Sequence, residues 1–236
     1  NVYLGFTAQS DQVFIENKTT FTVDYNYELK LSETQNIFVG LKGGGFYNNI
    51  DVTRLNRVTT LNNPALAPVE SYFTPILGVG VQLQTPKYFL GIGIPSLFST
   101  KRFLDNGSFV TKAQDEPFLY FSGGATFKLN DSFLLKPVAI YRSIQDSPNL
   151  FTTTVAFEYQ NQFTVGAGFS NNKNLAFFFS TKSIKAIELG YGYEIMNRGD
   201  QTAIQGGTHE FMLRFKFAEK EEKEESPRKD GYDQRN

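Results

Sequence analysis

From Phe21 to Leu31 apolar and aromatic residues hold every odd position (Phe21, Val23, Tyr25, Tyr27, Leu29, Leu31), and Thr22, Asp24, Asn26, Glu28 and Lys30 fill the even ones. A helix has no such period of two, whereas a strand with one apolar and one polar face requires it. The alternation returns at Leu77, Val79, Val81 and Leu83, at Phe163, Val165, Ala167 and Phe169, at Ile187, Leu189, Tyr191, Tyr193 and Ile195, and at Phe211, Leu213, Phe215 and Phe217. About twelve strands are predicted, near 1–8, 19–31, 35–47, 75–84, 87–94, 117–129, 132–142, 149–159, 162–170, 174–182, 186–196 and 208–217. Most reach the roughly 9 to 11 residues that cross a bilayer when tilted, longer than the five or six usual in soluble sandwiches.

The expected connections alternate in length. Short ones fall at 32–34, 85–86, 130–131, 160–161 and 183–185, and longer ones at 9–18, 48–74, 95–116, 143–148 and 197–207, with the 171–173 turn as the exception. Transmembrane barrels have short periplasmic turns and longer extracellular loops, so the alternation predicts an all-β, antiparallel, up-and-down transmembrane barrel with its short turns in the periplasm. Phe127, Phe133, Tyr159 and Phe163 flank two short turns on the apolar parity, where an interfacial aromatic girdle is expected.

Composition narrows the chemistry. The 236 residues include no Cys, no Trp and one His, with 23 basic against 24 acidic side chains. Near-zero net charge gives no footprint for nucleic acid, and the missing Cys and scarce His leave little for metal or nucleophilic chemistry. No metal, cofactor or catalytic residue is expected. His209 would need a Ser and a carboxylate beside it to act as a hydrolase base. Gly43-Gly44-Gly45 lacks the Lys-Ser/Thr ending of a phosphate loop. A mean hydropathy of −0.31 and the lack of a 20-residue apolar run rule out helical spans but leave a barrel open, because lumenal polar residues dilute the lipid-facing ones.

The charged residues Asp24, Glu28, Lys30, Lys42, Lys128, Arg142, Glu158, Lys182, Glu188, Glu194, Arg214 and Lys216 all fall on the polar parity. They are expected to face the lumen, since a basic residue on the lipid face costs about 2–4 kcal/mol at mid-membrane. Glycines on the same parity, such as Gly78, Gly80, Gly91, Gly93, Gly166 and Gly168, predict either a roomy interior or bends where strands coil. The long loops 48–74 and 95–116, with Asn62-Asn-Pro-Ala-Leu-Ala-Pro68 and Phe98-Ser-Thr-Lys-Arg-Phe103, are candidates for contact with a partner or for capping the barrel.

Six blocks carry a family resemblance: Tyr25-Asn-Tyr-Glu-Leu-Lys-Leu-Ser-Glu33, Phe38-Val-Gly-Leu-Lys-Gly-Gly44, Tyr88-Phe-Leu-Gly-Ile-Gly-Ile-Pro95, Leu134-Leu-Lys-Pro137, Leu189-Gly-Tyr-Gly-Tyr-Glu194 and His209-Glu-Phe-Met-Leu-Arg-Phe-Lys-Phe217. In this order they resemble the PorP/SprF family of type IX secretion membrane proteins, over residues 1–217. The resemblance implies a non-enzymatic outer-membrane barrel that assists export or surface attachment of large gliding-type adhesins. Its expected partners are outer-membrane lipid, the secreted adhesin and periplasmic secretion components. Alternatives of other classes are a passive diffusion porin and a soluble sandwich or lipocalin-like binder. Family members carry a signal peptide and further N-terminal strands, so the chain, which opens inside a strand, is expected to be processed, truncated or incomplete, with about fourteen strands in the intact barrel. Residues 218–236, alternating in charge, are expected to form a disordered periplasmic tail or a docking segment.

Overall fold

The computed structural model describes residues 1–14, 16–50, 71–98, 100–105, 110–115, 117–145, 147–184, 186–196 and 207–217. The predicted loop stretch 62–68 and the tail 218–236 lie outside the described residues.

Fifteen strands and no helix occur among them: β1 (Val2–Val13), β2 (Glu16–Lys30), β3 (Asn36–Ile50), β4 (Tyr72–Gln84), β5 (Tyr88–Ile94), β6 (Thr100–Asp105), β7 (Val110–Asp115), β8 (Phe118–Ala125), β9 (Phe127–Lys128), β10 (Phe133–Ile144), β11 (Leu150–Tyr159), β12 (Phe163–Ser170), β13 (Asn174–Ile184), β14 (Ile187–Met196) and β15 (Thr208–Phe215). Twelve of them form one path, β1-β2-β3-β4-β5-β8-β10-β11-β12-β13-β14-β15, in which every neighbour is antiparallel and adjacent in sequence apart from two interruptions. β9 continues the line of β8 along β10 after a break at Thr126, and β6 and β7 form a separate hairpin. The predicted up-and-down order of twelve crossing strands is the one observed. β1 and β15 are the two ends of the path among the described residues.

Several expected boundaries shift. The predicted connection 9–18 is mostly strand: Gln9–Val13 pairs with Glu16–Thr20 and the chain reverses at Phe14, whose φ is 54°. Gln9, Ser10, Asp11 and Gln12 are consecutive polar residues, so the alternation that marks the other strands is lost there. β10 and β11 are likewise joined by 145–149 alone, and the predicted loop 95–116 holds the β6–β7 hairpin. The alternation of loop length is therefore carried by the connections 51–71, 95–117 and 197–207.

At the other end the turns are short for local reasons. Asn130 Oδ1 accepts from the backbone N–H of Ser132 and Phe133 at 2.9 Å each. Thr85 Oγ1 does the same for Lys87 and Tyr88, at 3.2 and 3.0 Å. Gln160 and Asn161 both have positive φ, 49° and 56°, the signature of a hairpin turn whose twist matches its strands.

Burial is inverted relative to a water-soluble domain. Among the described residues the only buried hydrophobic side chain is Ala156, while Thr22, Asn48, Thr74, Glu158 and Glu188 are buried. Register explains this: Tyr25, Leu41, Val79 and Ile94 stand level on one face, as do Tyr159 with Phe163 and, one level on, Phe157, Val165 and Phe179 further round, and these apolar side chains are exposed or half-buried. A continuous apolar outer surface is stable only against lipid, where each strand's backbone groups are satisfied by its neighbours. Phe133 and Tyr159 pack at a tilt of 42°, 4.9 Å between centroids, beside the short turns, in the expected girdle position.

Candidate functional site: the concave face

The polar face is concave. Thr7 on β1 and Tyr120 on β8 line one cavity of about 570 Å³, although five strand spacings, roughly 24 Å, would separate them in a flat sheet. A second hollow of about 450 Å³, towards the short turns, is floored by Gly40, Gly80, Gly91 and Gly93. Not every glycine on this face leaves open space. A Cβ on Gly166 would fall on the ring of Phe178, which occupies the space the glycine leaves, and one on Gly78 would fall on the Pro95 carbonyl, where the chain leaving β5 crosses β4.

Charged groups on this face pair across strands. Lys42 Nζ lies 3.1 Å from Asp24. Glu158, 5% exposed, receives Lys136 at 2.9 Å and Lys182 at 3.7 Å. Lys182 also donates to Asn161 Oδ1 at 3.1 Å. Glu188 accepts from Arg214 at 2.9 Å and from Ser180 at 3.2 Å. Glu28 accepts from Asn1, Tyr3 and Asn36 at 3.1, 2.9 and 2.8 Å. Glu194 accepts from Asn174. Lys128 sits apart from these, at the short-turn rim, held at 2.7 Å by the exposed Asp131. Arg142 packs over the Phe118 ring at 5.6 Å, and its buried Nε has no hydrogen-bond partner among the described residues. Of the twelve lumenal candidates, then, the structure joins Asp24 to Lys42, Glu158 to Lys182 and Glu188 to Arg214.

Sequence reasoning missed Lys136 and the uncharged members. Lys136, Asn36, Asn48, Thr22, Thr74 and Tyr72 share the polar parity, but which of them meet depends on register between strands, which one strand's pattern does not contain. Asn48, 1% exposed, donates to Glu16 and, at 2.6 Å, to Tyr72 Oη. His209 lies on the opposite, outward face, its Nδ1 2.8 Å from Tyr191 Oη and its ring 4.8 Å from Tyr193.

Glu158→Gln is expected to leave Lys136 and Lys182 facing a neutral amide and to cost about 1–2 kcal/mol, below the figure for a fully buried pair because both lysines keep about a third of their exposure. The check is the temperature at which the folded band is lost in heat-modifiable gel mobility. An unchanged temperature would mean the pair contributes nothing.

Twelve antiparallel strands in meander order, an apolar outer face and a charged, internally paired concave face define a transmembrane β-barrel protein of the outer-membrane type. The sequence matches the family of type IX secretion system membrane proteins PorP/SprF over residues 1–215, and the chain belongs to that family. Its location is the outer membrane, the membrane in which such strand-built spans reside. No curated protein matches the sequence. Among solved structures it is similar to the β-domain of the Bordetella autotransporter BrkA (11% identity, 92% of this chain and 98% of that one, TM-score 0.43). It is also similar to the Pseudomonas putida toluene transporter TodX (9%, 84% and 71%, 0.43) and to an outer-membrane channel from P. putida F1 (11%, 90% and 90%, 0.41).

Proposed function

We propose that this protein is a non-enzymatic accessory of type IX secretion that assists export or surface anchoring of a large adhesin. Short turns would face the periplasm and its secretion components, and the connections 51–71, 95–117 and 197–207 would face outward. Family membership over residues 1–215 carries the reading. The concave face is consistent with it, because several of its acids and bases pair across strands, Asp24 with Lys42, Glu158 with Lys136 and Glu188 with Arg214, while Glu28 and Glu194 are held by uncharged donors. A passive diffusion porin shares the fold and differs in behaviour.

Deletion of the gene in its native host is expected to remove the adhesin from the cell surface, measured by antibody labelling of intact cells. The purified full chain in planar bilayers is expected to give no stable conductance. Normal surface adhesin in the deletion strain, together with stable open channels, would overturn the reading in favour of the porin.

A further inference from the structure

Among the described residues of the twelve crossing strands, the outward face carries no Asp, Glu, Lys or Arg, and His209 is its one ionisable side chain apart from tyrosines. Ionisable and hydrogen-bonding groups that face lipid are costly unless something satisfies them, so a lone exception marks a place where the surroundings supply a partner.

His209 stands at the rim of the apolar band. It is the second residue of β15 and is level with Tyr193, three residues before the end of β14. Two tyrosines lean towards the loop end beside it. Tyr191, level with Phe211, reaches up to His209, its Oη 2.8 Å from Nδ1, and Tyr193 lies against Gly207, where a Cβ would fall on its ring and hydroxyl. Amphipathic rings lean this way where hydrocarbon gives way to headgroups. The Tyr193 ring also packs 4.8 Å from the imidazole, so His209 is held from two sides. Glu194 and Glu210, the nearest acids in the register, are on the opposite face. Neither Nε2 of His209 nor Oη of Tyr193 has a hydrogen-bond partner among the described residues.

From this we infer that His209, Tyr191 and Tyr193 form a binding site for the phosphate headgroup of a lipid in the leaflet at the loop end, the outer leaflet in the orientation given above. Tyr191 Oη donates to Nδ1 and so keeps the ring proton on Nε2, which donates to a phosphate oxygen together with Tyr193 Oη. Phe177, level with Tyr193, and Phe211 lie beside the acyl chains. Phosphate is favoured over an ester or sugar oxygen because a charged acceptor makes a hydrogen bond roughly twice as strong. The site depends on the lipid-facing surface alone and not on the secretion role.

The chain has a single His, so ¹⁵N-histidine labelling reports His209 without assignment. The full chain is reconstituted in bilayers of digalactosyl diacylglycerol, which holds no phosphorus, with about one lipid in ten replaced by dioleoylphosphatidate, and the loss of ¹⁵N signal through coupling to ³¹P is measured in the solid state. The Nε2 signal is expected to report an occupancy at least about threefold above random mixing, with a much smaller loss at Nδ1, and Tyr191→Phe should lower the Nε2 loss by about half. His209→Phe, which suits a lipid-facing surface and should insert as the wild type does, is expected to lose most of the rise in unfolding temperature that phosphatidate gives the wild-type protein.

An Nε2 loss at the random-mixing level, equal loss at both ring nitrogens, an unchanged loss in Tyr191→Phe, or a full phosphatidate-dependent rise in His209→Phe would overturn the inference. So would an equal Nε2 loss from inorganic phosphate added to phosphatidate-free bilayers, which would make the ligand a soluble anion rather than a lipid.

Discussion

Val79→Arg is expected to block insertion of the folded protein into lipid. Val79 stands mid-strand on the outward face of β4, level with Leu41 on one side and Ile94 on the other, so the guanidinium would have only hydrocarbon beside it. The expected loss is about 2–4 kcal/mol, the cost of a basic residue at the bilayer midplane. Val165→Arg, two residues from the Phe163 end of β12, should cost less, because its side chain can reach the interface beside the short turn. The paired controls point the other way. Gly80 is adjacent to Val79 but faces the glycine-floored hollow, and a Cβ there meets the Ile92 carbonyl oxygen at an ordinary 3.5 Å, so Gly80→Ser should be neutral. Thr164 is level with Glu158 on the concave face, so Thr164→Arg has a carboxylate to approach. Folding into vesicles followed by heat-modifiable mobility reads all four, and equal tolerance at both parities would remove the assignment of faces.

The second large effect is expected at Gly78. A side chain there would meet the backbone of Pro95, which cannot rotate aside as a ring can, and Leu97 donates to the Leu77 carbonyl at 2.7 Å immediately alongside. Gly78→Val should cost about 1–3 kcal/mol by overpacking. It should also release residues 95–97 from β4 and open the loop-end cavity, whose lining includes Pro95. Limited proteolysis is the measurement: cleavage near 95–98 should rise in Gly78→Val and stay at the wild-type level in Gly80→Ser. Matching profiles would show that the crossing at Gly78 does not depend on the glycine.

Apart from these effects, the two faces of the molecule differ in how they are encoded. The outer face is written residue by residue: Phe21, Val23, Tyr25, Tyr27 and Leu29 need no partner strand to be recognised, because contact with lipid is a property each side chain satisfies alone. The six resemblance blocks lie largely on such strands, which is why family and fold could be read together. The concave face is different, since an ion pair such as Glu158 with Lys136 and Lys182 joins three strands, β10, β11 and β13, and is not visible in any one of them. The expectation that the glycines leave the interior roomy holds at Gly80 and Gly93, whereas Asn26 and Ser122 side chains reach over Gly40 and Gly91. It does not hold at Gly166 or Gly78, where a neighbour's ring or backbone fills the gap.

The sequence by itself determined the strand period, the twelve crossings and their order, the lipid-facing set and the family, because a two-residue alternation against a uniform apolar solvent is a local property of the chain. Only the tertiary structure decided where the first hairpin turns, that a β6–β7 hairpin occupies an expected loop, and which polar residues meet. It also decided that Thr22 Oγ1, Thr74 Oγ1 and Asn48 Oδ1 have no hydrogen-bond partner among the described residues. The meeting of polar residues depends on register and curvature, which bring together residues far apart in the sequence, and no local pattern of apolar and polar positions carries that information.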